Sequence, residues 1–175
     1  ENFNKRIDIA KKCDVQAVEF WKWSNKNIDE IHAKVIKDGL KVSVFNIDSS
    51  NPRLSDELSH GILNAGRKDD FVCALKESIP IYKKLGASAM IVLVGEKLDL
   101  PYEIQINNII EVLKTAAAIV EKENINLIVE PLNDYDRKNY FLPRAHEIAE
   151  IIRTVNSSNI KLLLDLYHEQ LMAGN

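Results

Sequence analysis

An α/β domain wrapped around a parallel sheet is what this chain predicts, and three observations carry the prediction. Short runs rich in Val, Ile and Leu alternate five times with longer segments of helical period. Several of these runs are continuously apolar, as strands covered on both faces are. Two of them, Leu127-Ile-Val-Glu130 and Lys161-Leu-Leu-Leu-Asp165, end in a carboxylate, and the two acids stand 35 residues apart with one helical segment between them. Strict alternation of strand and helix sets successive strands side by side and parallel.

Asn4 to Lys12 is amphipathic, with Ile7, Ile9, Ala10 and Cys13 toward one side, and predicts a helix. Ala17 to Trp21 reads as the first strand. Asp29 to Lys37 is a helix closed by Gly39, and Lys41 to Ile47 alternates as a strand does. The polar stretch Ser49 to Arg67, with its Gly, Pro, Asn and Ser, is expected to be a loop above the sheet. Asp69 to Leu85 is a helix that Pro80 should kink or split, capped by Gly86. The strand Ala89 to Val94 follows, then a long helix from Pro101 to Glu123. The strand Asn126 to Leu132, a polar loop from Asn133 to Asn139, the helix Pro143 to Val155 and a strand from Lys161 to Tyr167 complete the pattern.

Two architectures hold such a sheet, a doubly wound open sheet or a (β/α)8 barrel. The dinucleotide-binding form of the open sheet needs a glycine-rich turn after its first strand. Here that turn is Trp23-Ser-Asn-Lys-Asn27, with no glycine. Acids at the ends of successive strands suit the barrel, whose eight strands take about 250 residues. Five strands in 175 residues are the share of an incomplete barrel, a single domain over residues 1–175. The chain lacks an initiating Met and reads as a piece of something longer.

Composition narrows the function classes. The chain is 46% apolar and 28% charged with a net charge of −3, an ordinary globular balance. Its 23 basic residues are scattered among 26 acidic ones, which argues against a nucleic-acid partner. No apolar run approaches the roughly 20 residues that span a bilayer. Cys13 and Cys73 lack any metal-binding spacing and are expected to be reduced core thiols of a cytoplasmic protein.

The candidate site residues follow from the strand ends. Neighbouring strands lie about 4.8 Å apart. Glu130 and Asp165, at matching heights, could both reach a cation whose bonds to oxygen measure about 2.0–2.6 Å. A carboxylate in an apolar strand demands a metal, a hydrogen-bond partner or a salt bridge to a strand-end Lys or Arg. Trp21, Asn46 and Asn133 stand at strand ends and are candidates for lining a sugar-sized pocket or binding substrate hydroxyls. Arg67 is a candidate for a substrate carboxylate or phosphate. Glu19 reads as an interior hydrogen-bonding residue, and His32, His60 and His146 as solvated or structural.

At Val18-Glu-Phe-Trp-Lys-Trp23, Val129-Glu-Pro-Leu-Asn133, Tyr140-Phe-Leu142 and Leu164-Asp-Leu-Tyr-His168, the chain resembles the xylose isomerase-like TIM barrel superfamily, most closely its hydroxypyruvate isomerase group. The resemblance runs over nearly the whole chain and is weakest between Ser49 and Arg67. It implies that these residues hold barrel strands two to six. It also implies a divalent-metal isomerase of a small hydroxy-carbonyl compound, acting by enediolate proton transfer. Glu130 is then both metal ligand and acid/base, Asp165 a second ligand, and His168 a contact to substrate. The remaining ligands and a second catalytic glutamate fall outside these residues. Carboxylate ligands favour Mg or Mn, with Zn or Co as alternatives.

Two rival readings stay open at this level. One is a sugar epimerase or inosose dehydratase of the same superfamily. The other is a non-catalytic partial domain that binds metal or sugar, with open sheet edges inviting a homo-oligomer. The superfamily's repair endonucleases need a histidine-rich zinc site, which four histidines so placed do not supply.

Overall fold

The computed structural model of the protein describes residues 3–174. Five parallel strands run in the order β1-β2-β3-β4-β5: β1 (Ala17–Phe20), β2 (Lys41–Asn46), β3 (Ala89–Leu93), β4 (Leu127–Glu130) and β5 (Ile160–Leu162). Seven helices accompany them: α1 (Phe3–Lys12), α2 (Ile28–Asp38), α3 (Pro52–His60), α4 (Lys68–Leu85), α5 (Tyr102–Glu123), α6 (Ala145–Val155) and α7 (Leu166–Ala173). Sequential order with every neighbour parallel is the wall of a (β/α)8 barrel, left open between β1 and β5 among the described residues.

Alternation along each strand divides core from cavity. Phe45, Met90, Val92, Leu127 and Val129 face outward into the helical layer and are at most 2% exposed. Asn46, Ile91, Leu93, Ile128 and Glu130 face the interior. Register pairs Asn46 with Ile91, Ile91 with Ile128, and Leu93 with Glu130. Glu130 therefore stands two residues, about 6.6 Å, nearer the strand ends than Asn46 does.

Three expectations are corrected here. Ser49 to Arg67 is not a loop throughout, because α3 occupies its centre. Asn51 caps that helix by accepting from the N–H groups of Arg53 and Leu54, Pro52 fills the first turn, and Leu54 and Leu58 pack inward. The residues that suggested a loop are the helix's own start and stop signals. Helix α4 is not split at Pro80 but continues from Lys68 to Leu85, with Phe71, Ala74, Leu75 and Ser78 on its buried face. The last strand ends at Leu162 instead of Tyr167. Asp165 is the N-cap of α7, its carboxylate accepting from the Tyr167 N–H at 2.7 Å, so the chain turns into a helix where an extended run was expected.

Cys13 and Cys73 are free and exposed, not core thiols. Cys73 lies on the outer face of α4 beside Glu77. No described helix is long and apolar enough to cross a membrane.

Backbone contact locks the loops above the sheet. Gly61 and Gly95 both have positive φ, 94° and 115°. A Cβ on Gly61 would lie 2.4 Å from the Gly95 nitrogen, so only glycine lets the end of α3 rest on the end of β3.

Candidate active site

The C-terminal ends of the strands open into a cavity of about 1180 Å³. Glu19, Asn46, Glu130, Asp165 and His168 line it, and Trp21, 73% exposed, forms part of its wall. Ligand atoms of Glu130, Asp165 and His168 lie within 4.8 Å of one another, each residue half-buried. The strand ends thus bring together the two acids and the histidine singled out in the sequence.

Glu130 is the perturbed group. Burial pushes its carboxyl up to about 7, and repulsion from Asp165 and Glu19 adds to the shift. Tyr140, itself fully buried, braces the end of β4. Its hydroxyl donates to the Glu130 carbonyl at 3.0 Å and accepts from the Val94 N–H at 2.9 Å. One phenol therefore ties the exits of β3 and β4, a role that its place in the Tyr140-Phe-Leu142 segment does not disclose.

His168 is oriented by Asn133. The Asn133 side-chain oxygen accepts from the N–H groups of Tyr135 and Asp136 at 3.1 and 2.8 Å, which fixes which end of the amide is nitrogen. That nitrogen donates to Asp136 at 2.9 Å and meets His168 Nδ1 at 2.6 Å. The Asn133 backbone N–H also points at Nδ1, from 3.3 Å. With two donors on Nδ1, the ring proton sits on Nε2, 3.9 Å from Asp165 Oδ2. His168 therefore offers an N–H at the site, and Glu130 and Asp165 are the groups with lone pairs for a cation. Two clustered carboxylates, one held protonated toward neutrality by burial and by repulsion from its neighbour, fit a hard divalent ion.

Asn133 is fully buried and does not line the cavity, so the structure gives it to His168 instead of to a ligand. Asn46 does line the cavity, and its Oδ1 is buried with no hydrogen-bond partner. Arg67 lies elsewhere: it bridges Glu57 of α3 and Asp70 of α4 and does not line the cavity. Trp23 donates to Ser78 at 2.9 Å and is structural. Glu19, with no hydrogen bond among the described residues, lines the cavity as an exposed carboxylate. His60, passed over in the sequence, ends α3 on the cavity wall. Only a helix over Pro52–His60 would have revealed it.

The profile of the xylose isomerase-like TIM barrel family matches residues 7–175. The chain belongs to that family. Hydroxypyruvate isomerase of Escherichia coli is 27% identical over 175 residues, covering 99% of this chain and 67% of that protein. A putative hydroxypyruvate isomerase of Danio rerio is 26% identical, with 99% of this chain and 64% of that one covered. The crystal structure of an AP endonuclease, family 2, from Brucella melitensis superposes with a TM-score of 0.89 at 25% identity, over 99% of this chain and 66% of that one. The chain thus spans about two thirds of the length of these relatives. Family membership accounts for the sequential parallel strands and for a cavity at their ends, where this fold keeps its chemistry.

Proposed function

We propose that the protein is a divalent-metal-dependent isomerase of a small α-hydroxy carbonyl compound, hydroxypyruvate or a short ketose, acting through an enediolate. The observation that carries this reading is the convergence of Glu130, Asp165 and His168 within 4.8 Å at the mouth of one barrel cavity. The names of the similar hydroxypyruvate isomerases support the substrate class.

Glu130 and Asp165 would hold the ion, Mg or Mn by the hardness of their oxygens. A bound cation of this kind polarises the carbonyl and hydroxyl oxygens and offsets the negative charge that builds on them. Glu130 removes the proton from the carbon bearing the hydroxyl, exchanges it with solvent and delivers a proton to the neighbouring carbon, while the hydroxyl proton passes to the former carbonyl oxygen, so carbonyl and hydroxyl exchange places without any redox partner. His168 Nε2–H donates to an oxygen on which charge grows. Asn46 Oδ1 offers an acceptor for a substrate hydroxyl. Trp21 offers an aromatic face on the cavity wall for the carbon chain of the substrate.

Proton NMR in D2O tests the reading on the full-length protein with Mg or Mn. Hydroxypyruvate should take up solvent deuterium at the reacting carbon, and Glu130→Gln should abolish the uptake. No exchange by the unmodified protein with either metal, on hydroxypyruvate or a short ketose, sinks it.

A further inference from the structure

The cavity wall carries three basic side chains, Lys22, Lys26 and Arg137. They differ in what already holds them. Lys26 Nζ donates to the Lys22 carbonyl and to Asn25 Oδ1, and lies over the rings of Phe3 and Phe20 at 5.4 and 5.3 Å. Lys22 faces Asp56 at 3.9 Å. Arg137 reaches only neutral atoms, the Ser59 carbonyl and His60 Nδ1, both at 3.5 Å, the far limit of a hydrogen bond. The adjacent Asp136 makes no ion pair with it; the Asp136 Oδ2 accepts instead from Asn133 and from the Tyr167 hydroxyl at 2.9 and 2.7 Å. Among the described residues, Arg137 is thus a half-buried guanidinium with no ion-pair partner.

Its mounting is firm. The Arg137 N–H donates to the Asn133 carbonyl at 3.2 Å, and its own carbonyl accepts from Tyr140 at 3.0 Å. The loop that carries it is therefore pinned by the same two residues that orient His168 and brace β4. His60 beside it is frustrated. Its Nδ1 faces Arg137 at 3.5 Å and Glu96 at 3.6 Å, and one nitrogen cannot accept from the first and donate to the second.

We propose that Arg137, with His60 beside it, is the subsite for a carboxylate on the substrate, and that it selects hydroxy-keto acids over neutral ketoses. The fork of a guanidinium matches the two oxygens of a carboxylate. A carboxylate seated there takes the N–H groups now directed at weak acceptors and frees His60 Nδ1 to donate to Glu96. Elsewhere the wall is largely acidic, with Glu19, Asp48, Asp136 and Asp165 lining it, and its two lysines are already engaged. This inference deepens the isomerase reading and rests on it for the identity of the reacting end.

Two experiments on the full-length protein decide it. In steady-state kinetics, Arg137→Gln should raise KM for hydroxypyruvate by about 10- to 100-fold, the range for losing a charge-assisted pair. Its parameters for dihydroxyacetone, a neutral hydroxy ketone, should not move, and Arg137→Lys should fall between. Equal losses on both compounds overturn the proposal. Calorimetric titration with glycerate separates it from the isomerase reading. If neither compound turns over but glycerate binds and Arg137→Gln weakens that binding at least roughly tenfold, the isomerase reading falls and the carboxylate subsite stands. Glycerate binding that is absent, or equal in both proteins, overturns the subsite whatever the turnover.

Discussion

Asn133, at the exit of β4, and His168, on α7, meet through nitrogen atoms 2.6 Å apart, and this contact sets which face of the imidazole the cavity receives. The amide is anchored by two loop N–H groups, so it cannot flip to accept. Asn133→Ala should therefore do two separable things. It leaves the N–H groups of Tyr135 and Asp136 without that acceptor and empties a fully buried position, a loss of about 1–3 kcal/mol in unfolding free energy by urea denaturation. It also frees the imidazole tautomer. Nitrogen-15 NMR of the wild type should show the proton on His168 Nε2, and the variant should show a mixture. An unchanged spectrum in the variant would deny Asn133 this role.

Glu130 ties stability to pH. Its carboxyl in the folded chain titrates near 7 against an ordinary 4.5, so the folded form holds the proton more tightly than the unfolded one. The stability this contributes is complete below about pH 4.5 and is lost as the pH rises through about 7. In metal-free buffer the unfolding free energy should decline over that window by on the order of 2–3 kcal/mol, relative to Glu130→Gln, which lacks the titration. Parallel profiles for the two proteins would show that Glu130 is not perturbed.

The same proton should leave when a cation enters. Mn(II) titration by calorimetry at pH 7, repeated in buffers of different ionisation enthalpy, should report release of roughly half a proton per ion bound. Affinity on the order of micromolar is expected for the chain and should be lost in Asp165→Ala. Binding that survives the substitution would place the cation elsewhere.

Arg67 belongs to stability, not to recognition. It holds Glu57, whose carboxyl its hydrogen bond keeps below the ordinary range, and it also pairs with Asp70. Arg67→Ala should lower the thermal midpoint by a few degrees, less so at high salt, because partly exposed pairs are screened. KM for hydroxypyruvate should not change. A KM effect comparable to that of Arg137→Gln would reverse this assignment.

What the sequence disclosed depended on how local the signal was. Glu130 and Asp165 were legible because a carboxylate closing an apolar run is conspicuous in itself. Asn133 stood out only as a polar residue at a strand end. Its partner lies 35 residues on, and no local pattern shows that its amide faces a histidine and not a substrate. Arg67 and Arg137 are both arginines in polar segments. Acids on two different helices neutralise the first and not the second, a fact of tertiary packing. His60 and the whole of α3 were hidden because Asn51, Pro52 and Gly61 serve equally as turn residues and as helix boundaries. Asp165 ended the last strand early for a similar reason. Its carboxylate caps a helix whose Leu166, 75% exposed, had read as part of a buried run.

The alternation in β4 has a bearing on how errors are filtered. Val129 points into the helical layer and Glu130 into the cavity, one residue apart on the same strand. A slip of one position would drive the carboxylate into hydrocarbon and leave the valine facing water. Assembly of the site and assembly of the core are thus a single checkpoint: a chain with β4 misaligned fails as a fold before it can persist as a defective catalyst.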